Sequence, residues 1–121
     1  DGIAYGFLGS IDELAVYSRS LNGPELAAIY SAGAAGKCGA PPLPPACVVP
    51  SDDLVAWYRS EENASDWTLQ NPGSFAKPRY ADGRVGKAFE FDGSNEVVIP
   101  DVPGLNLDTL TIEAWVYPTV F

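Results

Sequence analysis

The chain has 121 residues, of which 46% are hydrophobic, enough for one globular domain with a real core. Its 16 acidic residues against 7 basic ones give a net charge of −9, which repels phosphate and disfavours nucleic acid and anionic lipid as partners. No apolar run approaches the roughly 20 residues that a membrane-spanning helix needs, so we expect no membrane insertion.

Histidine is absent from the sequence. Its absence removes the commonest general base, the commonest transition-metal ligand and any Ser-His or Cys-His dyad. Paired carboxylates are the main catalytic route left, whereas an acidic surface suits calcium and neutral sugars. We therefore expect a protein that binds a ligand and is not an enzyme.

Residues 1–36 predict a strand followed by a short helix. The alternation over residues 11–17 indicates a strand on which Asp12, Leu14 and Val16 share the face toward the core. The helix begins with a capping-box pattern, in which Asn22 is the N-cap and Glu25 occupies the third helical position. A glycine, Gly33, supplies the left-handed stop.

Residues 37–53 predict a linker, because five prolines in this stretch favour an extended polyproline conformation. Cys38 and Cys47 flank eight of its residues. In an exported chain they would form a local disulfide contributing roughly 2–3 kcal/mol, whereas in a cytosolic chain they would stay reduced. If the protein is exported, we expect its signal peptide to lie outside this sequence.

The remaining residues, 54–121, predict antiparallel strands separated by turns rich in Gly, Pro, Asp and Asn. The last strand alternates most regularly, with one set of side chains expected inward and the set between them outward. The inward set comprises Leu110, Ile112, Ala114 and Val116. The predicted strands cover residues 54–58, 88–91, 96–99 and 110–116, and the third runs back after a turn at 92–95.

These motifs resemble parts of a laminin G-like, concanavalin A-like jelly-roll domain. The stretch GSIDELAVY at residues 9–17, with the capped helix to Tyr30, is similar to the closing strand and helix of such a domain. The stretches LVAWY (54–58), GRVGKAFEFDG (83–93) and LTIEAWV (110–116) are similar to its opening. The resemblance implies an all-β fold, an antiparallel β-sandwich of jelly-roll type with one short helix.

The order of these motifs is reversed relative to the family. The closing elements (1–36) come first and the opening elements (54–121) second, as they would at the junction of two tandem repeats. The alternative is a natural small β domain. A sandwich truncated and permuted in this way leaves unpaired edges and apolar faces, so we expect a homo-oligomer that completes its sheets by strand exchange.

The resemblance also implies a structural calcium site. It places Asp12 where a calcium-binding aspartate lies in domains of this fold, and oxygens near Asp92 would supply further ligands. The alternative for Asp12 is a carboxylate that accepts hydrogen bonds from backbone amides at a strand end. We expect no other cofactor.

The aromatic residues predict a carbohydrate site, because an aromatic ring stacks on a sugar while nearby polar groups bond its hydroxyls. The alternative is that most of these aromatic side chains lie in the core or at an interface. The first candidate is Trp67 with Asp66 and Asn71, and the second is Tyr80 with Asp82.

By resemblance the function is non-catalytic binding of glycans or glycoproteins, in a secreted or cell-surface multidomain protein. The alternatives are a structural or adhesive protein-interaction repeat, and the remnant of a glycoside hydrolase of the same fold. Glu90 and Asp92 would be the catalytic pair of the hydrolase, but no third carboxylate follows at the expected spacing.

Overall fold

The computed structural model describes residues 6–39 and 45–120, and these form a mostly β structure of antiparallel strands with one short helix. In chain order its elements are β1 (Leu8–Tyr17), α1 (Gly23–Ala32), β2 (Leu54–Tyr58), β3 (Ser74–Ala76), β4 (Tyr80–Asp82), β5 (Lys87–Asp92), β6 (Glu96–Val98) and β7 (Thr111–Pro118). Short 3₁₀ turns cover Gly33–Ala35 and Pro103–Leu105.

Strand β1 lies at the centre of the large sheet. One of its edges pairs with β7, while the other pairs with β5 along its first half and with β2 along its second half. Strand β4 extends the sheet beyond β5. The strand from the first 36 residues is therefore hydrogen-bonded to three strands from the region after the linker, and the two regions fold as one sheet. Their assignment to two repeats remains a prediction.

A β-bulge divides β1. Asp12 pairs with Trp115 and Ala15 with Glu113, so two residues of β1 oppose the single residue Ala114 of β7. Glu13 occupies the bulge with a φ of 57°. The prediction that Asp12 shares the face of Leu14 and Val16 is wrong, because the extra residue reverses the alternation between them.

The predicted helix is confirmed as α1. The Asn22 side chain accepts from the backbone N–H of Glu25, and the Glu25 carboxylate accepts from the backbone N–H of Asn22. Gly33 ends the helix with a φ of 53°. Leu21 and Ile29 pack against Ala15, Tyr17 and Trp57, and this contact with one face of the large sheet holds the short helix.

The opposite face of the large sheet carries the second core cluster. Strands β3 and β6 pair with each other and contribute Phe75 and Val97 to this core. The turn after β5 does reverse the chain, but β6 then pairs with β3 in this small second sheet and not with β5. Phe75 lies 5.2 Å from Phe89 between ring centroids. The remaining buried members of the cluster are Ala56, Tyr58 and Ala64.

The linker is tied back onto the domain. Cys38 and Cys47 form a disulfide with their Cα atoms 5.1 Å apart. Backbone bonds join Cys38 N to Val48 O at 2.7 Å and Val48 N to Gly36 O at 2.9 Å. Residues 40–44, which carry much of the predicted polyproline stretch, lie outside the described residues.

Strand β7 departs from its prediction. Leu110, Ile112 and Val116, all expected inward, are 45%, 60% and 56% exposed. They do share one side of the strand, since Ile112 pairs with Val16 and Val116 pairs with Ile11. Because no second layer covers this edge of the sheet within the described residues, the apolar row faces solvent.

Candidate functional site: the Trp67 cleft

Trp67 forms the aromatic wall of a shallow cleft of about 230 Å³, which we call the Trp67 cleft. The indole is 41% exposed and packs on the buried Trp57, with ring centroids 5.4 Å apart. Its backbone N–H donates to the carbonyl oxygen of Trp57 at 2.7 Å. The polar lining comes from Arg59, Glu61, Asn63, Ser65 and Asp66.

Asp66 is a buried support for the loop that carries Trp67. Its Oδ1 accepts from the backbone amides of Trp57 and Thr68, and its Oδ2 accepts from the Thr68 hydroxyl and from Asn71. Burial raises the pKa of Asp66, but these hydrogen bonds outweigh it, so the pKa lies below its usual range. Both oxygens are engaged inside the protein, which makes Asp66 a positioning residue.

Asn71 has the same supporting role. It is buried, and its side-chain amide donates to the carbonyl of Val55 at 2.9 Å and to Asp66 Oδ2 at 3.3 Å. Its backbone carbonyl accepts from the Tyr58 hydroxyl at 2.6 Å. Trp67 is thus exposed on this loop, whereas the two predicted polar partners, Asp66 and Asn71, are directed inward.

The second predicted pair does not join this cleft. Tyr80 packs in the core, 5.6 Å from Phe75 and 6.1 Å from Phe89 between ring centroids. Asp82 is exposed and forms an ion pair with Lys87 at 2.9 Å. Tyr80 and Asp82 stay predicted sugar-binding residues, but neither lies beside Trp67 in this cleft.

Arg59 is a cleft residue that sequence reasoning missed. Its guanidinium lies 5.2 Å from the centroid of the Trp57 ring, and its Nε is buried with no hydrogen-bond partner among the described residues. A Cβ on Gly39 would lie 3.3 Å from Arg59 Nη1 and 3.4 Å from Trp67 Nε1. Gly39 of the disulfide-tied linker thus lies close to both side chains. Arg59 follows Trp57 at the spacing of one strand face, a signal that could have found it.

A second cleft, of about 290 Å³, lies between β1, β7 and the β4–β5 turn. It brings the predicted residues Asp12 and Asp82 together with Arg84, Trp115 and Tyr117. The Trp115 ring is already in contact with protein groups, since Arg84 lies 5.2 Å and Tyr30 5.4 Å from it. Trp67 therefore offers the better stacking surface.

Asp12 caps the turn between β4 and β5. It is 2% exposed, and its Oδ2 accepts from the backbone N–H of Val85 at 2.8 Å, while Oδ1 is buried and has no partner within residues 6–39 and 45–120. Burial raises its pKa to about 6 against the opposing effect of the backbone hydrogen bonds.

At Asp12, the unpartnered Oδ1 is the one carboxylate oxygen available to bind calcium. Asp92 pairs with Leu8, four residues before Asp12 along β1, which is a separation of roughly 13 Å. The Asp92 carboxylate accepts from the backbone and hydroxyl of Ser94 instead. Across residues 6–39 and 45–120, no three acidic or cysteine side chains gather as a metal site. Calcium at Asp12 remains a prediction.

Glu13, next to Asp12, belongs to a buried charge network at the bulge. Its Oε2 accepts from Trp57 Nε1 at 2.7 Å, while Oε1 is buried and has no partner in the described part of the chain. Lys37 donates to Glu113 at 2.8 Å and reaches the Glu13 carbonyl at 3.4 Å. Burial raises the pKa of Glu13 to about 7, although Lys37, the Trp57 hydrogen bond and Arg59 lower it.

The Glu90–Asp92 pair, considered as a hydrolase remnant, is engaged on the surface. Arg79 Nε donates to Glu90 at 3.1 Å, and Arg79 Nη1 lies 3.9 Å from Asp92. Both carboxylates are more than one third exposed. The Arg79 guanidinium therefore interacts with both members of the pair.

Comparison of the chain with protein-family models, with curated proteins and with solved structures finds no match. Among the described residues, no helix is both long and apolar enough to cross a membrane.

Proposed function

We propose that the protein is a non-catalytic, glycan-binding module and that the Trp67 cleft holds the sugar. The observation that carries the proposal is the half-exposed indole of Trp67, supported from behind by Trp57 and from below by the Asp66–Asn71 network. A rigid aromatic face beside polar groups supplies both parts of sugar recognition, namely ring stacking and bonds to hydroxyls. Because the cleft is smaller than the roughly 300 Å³ of drug-sized sites, it suits one sugar ring or a chain end.

The polar lining gives the cleft both donors and acceptors. Arg59 supplies donors only, whereas the Asn63 and Ser65 side chains add groups of both kinds. A neutral sugar, whose hydroxyls both donate and accept, matches this mixture and the net charge of −9. We propose in addition that the antiparallel strands belong to a jelly-roll β-sandwich, so that the protein is a lectin-like domain. The Cys38–Cys47 disulfide supports a secreted or cell-surface location.

The test is binding to a panel of immobilised glycans, with calcium and then with a chelator. We expect saturable binding that free sugar competes away, and loss of at least tenfold in affinity for Trp67→Ala, equivalent to about 1.4 kcal/mol. Val49→Ala is the control, because Val49 is 78% exposed and lies outside the residues that line this cleft. Binding that survives Trp67→Ala would contradict the proposed site, and silence across the panel from folded protein would contradict the function.

A second function, that of a structural or adhesive repeat, is favoured by the apolar row exposed on β7. The two functions differ in their partner, since an adhesive repeat needs a protein surface and no sugar. A hydrolase would be recognised by turnover of a glycan that is lost in Glu90→Gln, and we expect no such turnover.

A further inference from the structure

The exposed apolar row on β7 lies beside a second apolar surface. The row consists of Leu110, Ile112 and Val116, and it faces the side of the large sheet on which β3 and β6 pack. Next to it opens an apolar cleft of about 510 Å³, lined among others by Phe7, Ile11 and Leu14. The row and the cleft are adjacent, because Val116 of the row pairs with Ile11 of the cleft lining. The three side chains of the row are between 45% and 60% exposed, and exposed apolar patches are found at interaction sites.

The outer edge of β7 carries open backbone groups. Within the described residues β7 pairs with β1 alone, so its other edge has no partner strand. Exposed edges are normally protected by charges, by an internal proline or by a bulge. Strand β7 has its one proline at its last residue, Pro118, and the bulge belongs to β1.

The single charge on β7 is neutralised from within. The Glu113 carboxylate accepts from Lys37 at 2.8 Å and from the Tyr17 hydroxyl at 3.1 Å. Its side chain is 13% exposed and belongs to the helix-covered face, opposite Ile112. Two β7 strands placed edge to edge would therefore bring no unpaired charges of one sign together.

We propose that β7 pairs antiparallel with β7 of a second copy, so that two large sheets join across a two-fold axis and the apolar rows lie side by side on one face of the joined sheet. An isologous contact of this kind uses one self-complementary surface on both chains. The joined strands satisfy the open backbone groups of both edges and bring the apolar side chains of the two rows into cross-strand contact. This pairing needs no exchange of strands, and it is independent of sugar binding at the Trp67 cleft.

The experiment is sedimentation velocity on the chain from about 1 to about 200 μM, a range that brackets a dissociation constant of micromolar order. We expect a concentration-dependent shift from monomer to dimer. Because each chain carries a net charge of −9, we also expect association to strengthen as salt is raised from roughly 50 to 500 mM.

The matched variants are the double substitution Ile112→Lys with Val116→Lys and, as control, Leu69→Lys. All three positions are more than half exposed, so the monomer should keep its β circular-dichroism spectrum and cooperative melting. We expect the double variant to stay monomeric at the highest concentration and the control to dimerise like the wild type. A wild-type monomer throughout the range would overturn the proposal. A dimer that persists in the double variant would also overturn it, and would indicate strand exchange or another surface.

Discussion

Asp66 and Glu13 are both almost completely buried, yet the surroundings of their carboxylates are opposite in kind. Asp66 accepts hydrogen bonds on both oxygens from the backbone and side chains of its own loop. Glu13 has one donor, Trp57 Nε1, on one oxygen and none on the other. The pKa is lowered for Asp66 and raised to about 7 for Glu13.

Burial raises the pKa of both carboxyl groups, and only at Asp66 do the hydrogen-bond donors outweigh it. A charge held by several donors keeps its ionised form and organises the chain around it. A charge held by few donors favours protonation, even with a cation as near as Lys37. At neutral pH the ionised Asp66 is therefore stabilised by its hydrogen bonds in the loop under Trp67. The ionised Glu13 at the bulge of β1 is destabilised by its burial at the same pH.

The largest effect is expected for Asp66→Ala. Removing the carboxylate leaves the buried donors of Trp57, Thr68 and Asn71 without an acceptor, so we expect a loss of about 3–5 kcal/mol in unfolding free energy. Urea denaturation measures it. Asp82→Ala is the control, because its ion pair with Lys87 is exposed to solvent and contributes little to stability. Equal losses in the two variants would show that Asp66 does not support the loop.

A smaller effect of opposite sign is expected for Glu13→Gln. The raised pKa means that the folded state binds a proton more tightly than the unfolded state, so wild-type stability should fall as the pH rises from about 4.5 to about 7. Glutamine keeps an acceptor for Trp57 and removes the buried charge. We expect a gain of roughly 1–3 kcal/mol at pH 8 and a flatter dependence between pH 5 and 7.

The control for Glu13→Gln is Glu96→Gln, a neutralisation at an exposed position on β6. It should change stability by about 0.5 kcal/mol or less. Urea denaturation at several pH values distinguishes the two. A Glu13→Gln variant that is less stable than the wild type at pH 8 would show that Lys37 and Arg59 hold the ionised form.

The smallest effect is expected for Asp12→Asn, because asparagine keeps an acceptor for the Val85 amide. We expect a change of about 1 kcal/mol or less at neutral pH. Thermal melting with calcium and with a chelator tests the metal prediction at the same time. A Tm that calcium raises for the wild type alone would confirm calcium at Asp12, and curves that do not respond to calcium would contradict it.

The helix ends and single strands were predictable because the sequence patterns that indicate them span only a few neighbouring residues. The capping box of Asn22 and Glu25, the stop at Gly33 and the strand Leu54–Tyr58 are all present at their expected positions. The bulge at Glu13 was not predictable, because it needs the pairing of β1 with β7 across about 100 residues of sequence. One extra residue moved Asp12 to the other face of the sheet, where its side chain is also buried.

The candidate site was predicted in part for the same reason. Trp67 beside acidic and amide residues marked an aromatic site in a polar loop, and the structure places that indole at the wall of a cleft. The inward direction of Asp66 and Asn71, and the presence of Arg59, depend on the packing of Trp67 against Trp57. No pattern within one segment contains that contact.

The sequence by itself determined the acidic charge, the lack of histidine, the helix boundaries and a mostly β composition, since these follow from residue types and short-range periodicity. Only the tertiary structure decided which carboxylates meet enough donors to stay charged and which apolar side chains find a cover. Both depend on neighbours distant in sequence. Leu110, Ile112 and Val116 alternate as core residues do, yet they face solvent because the layer that would bury them is absent from the described part of the chain.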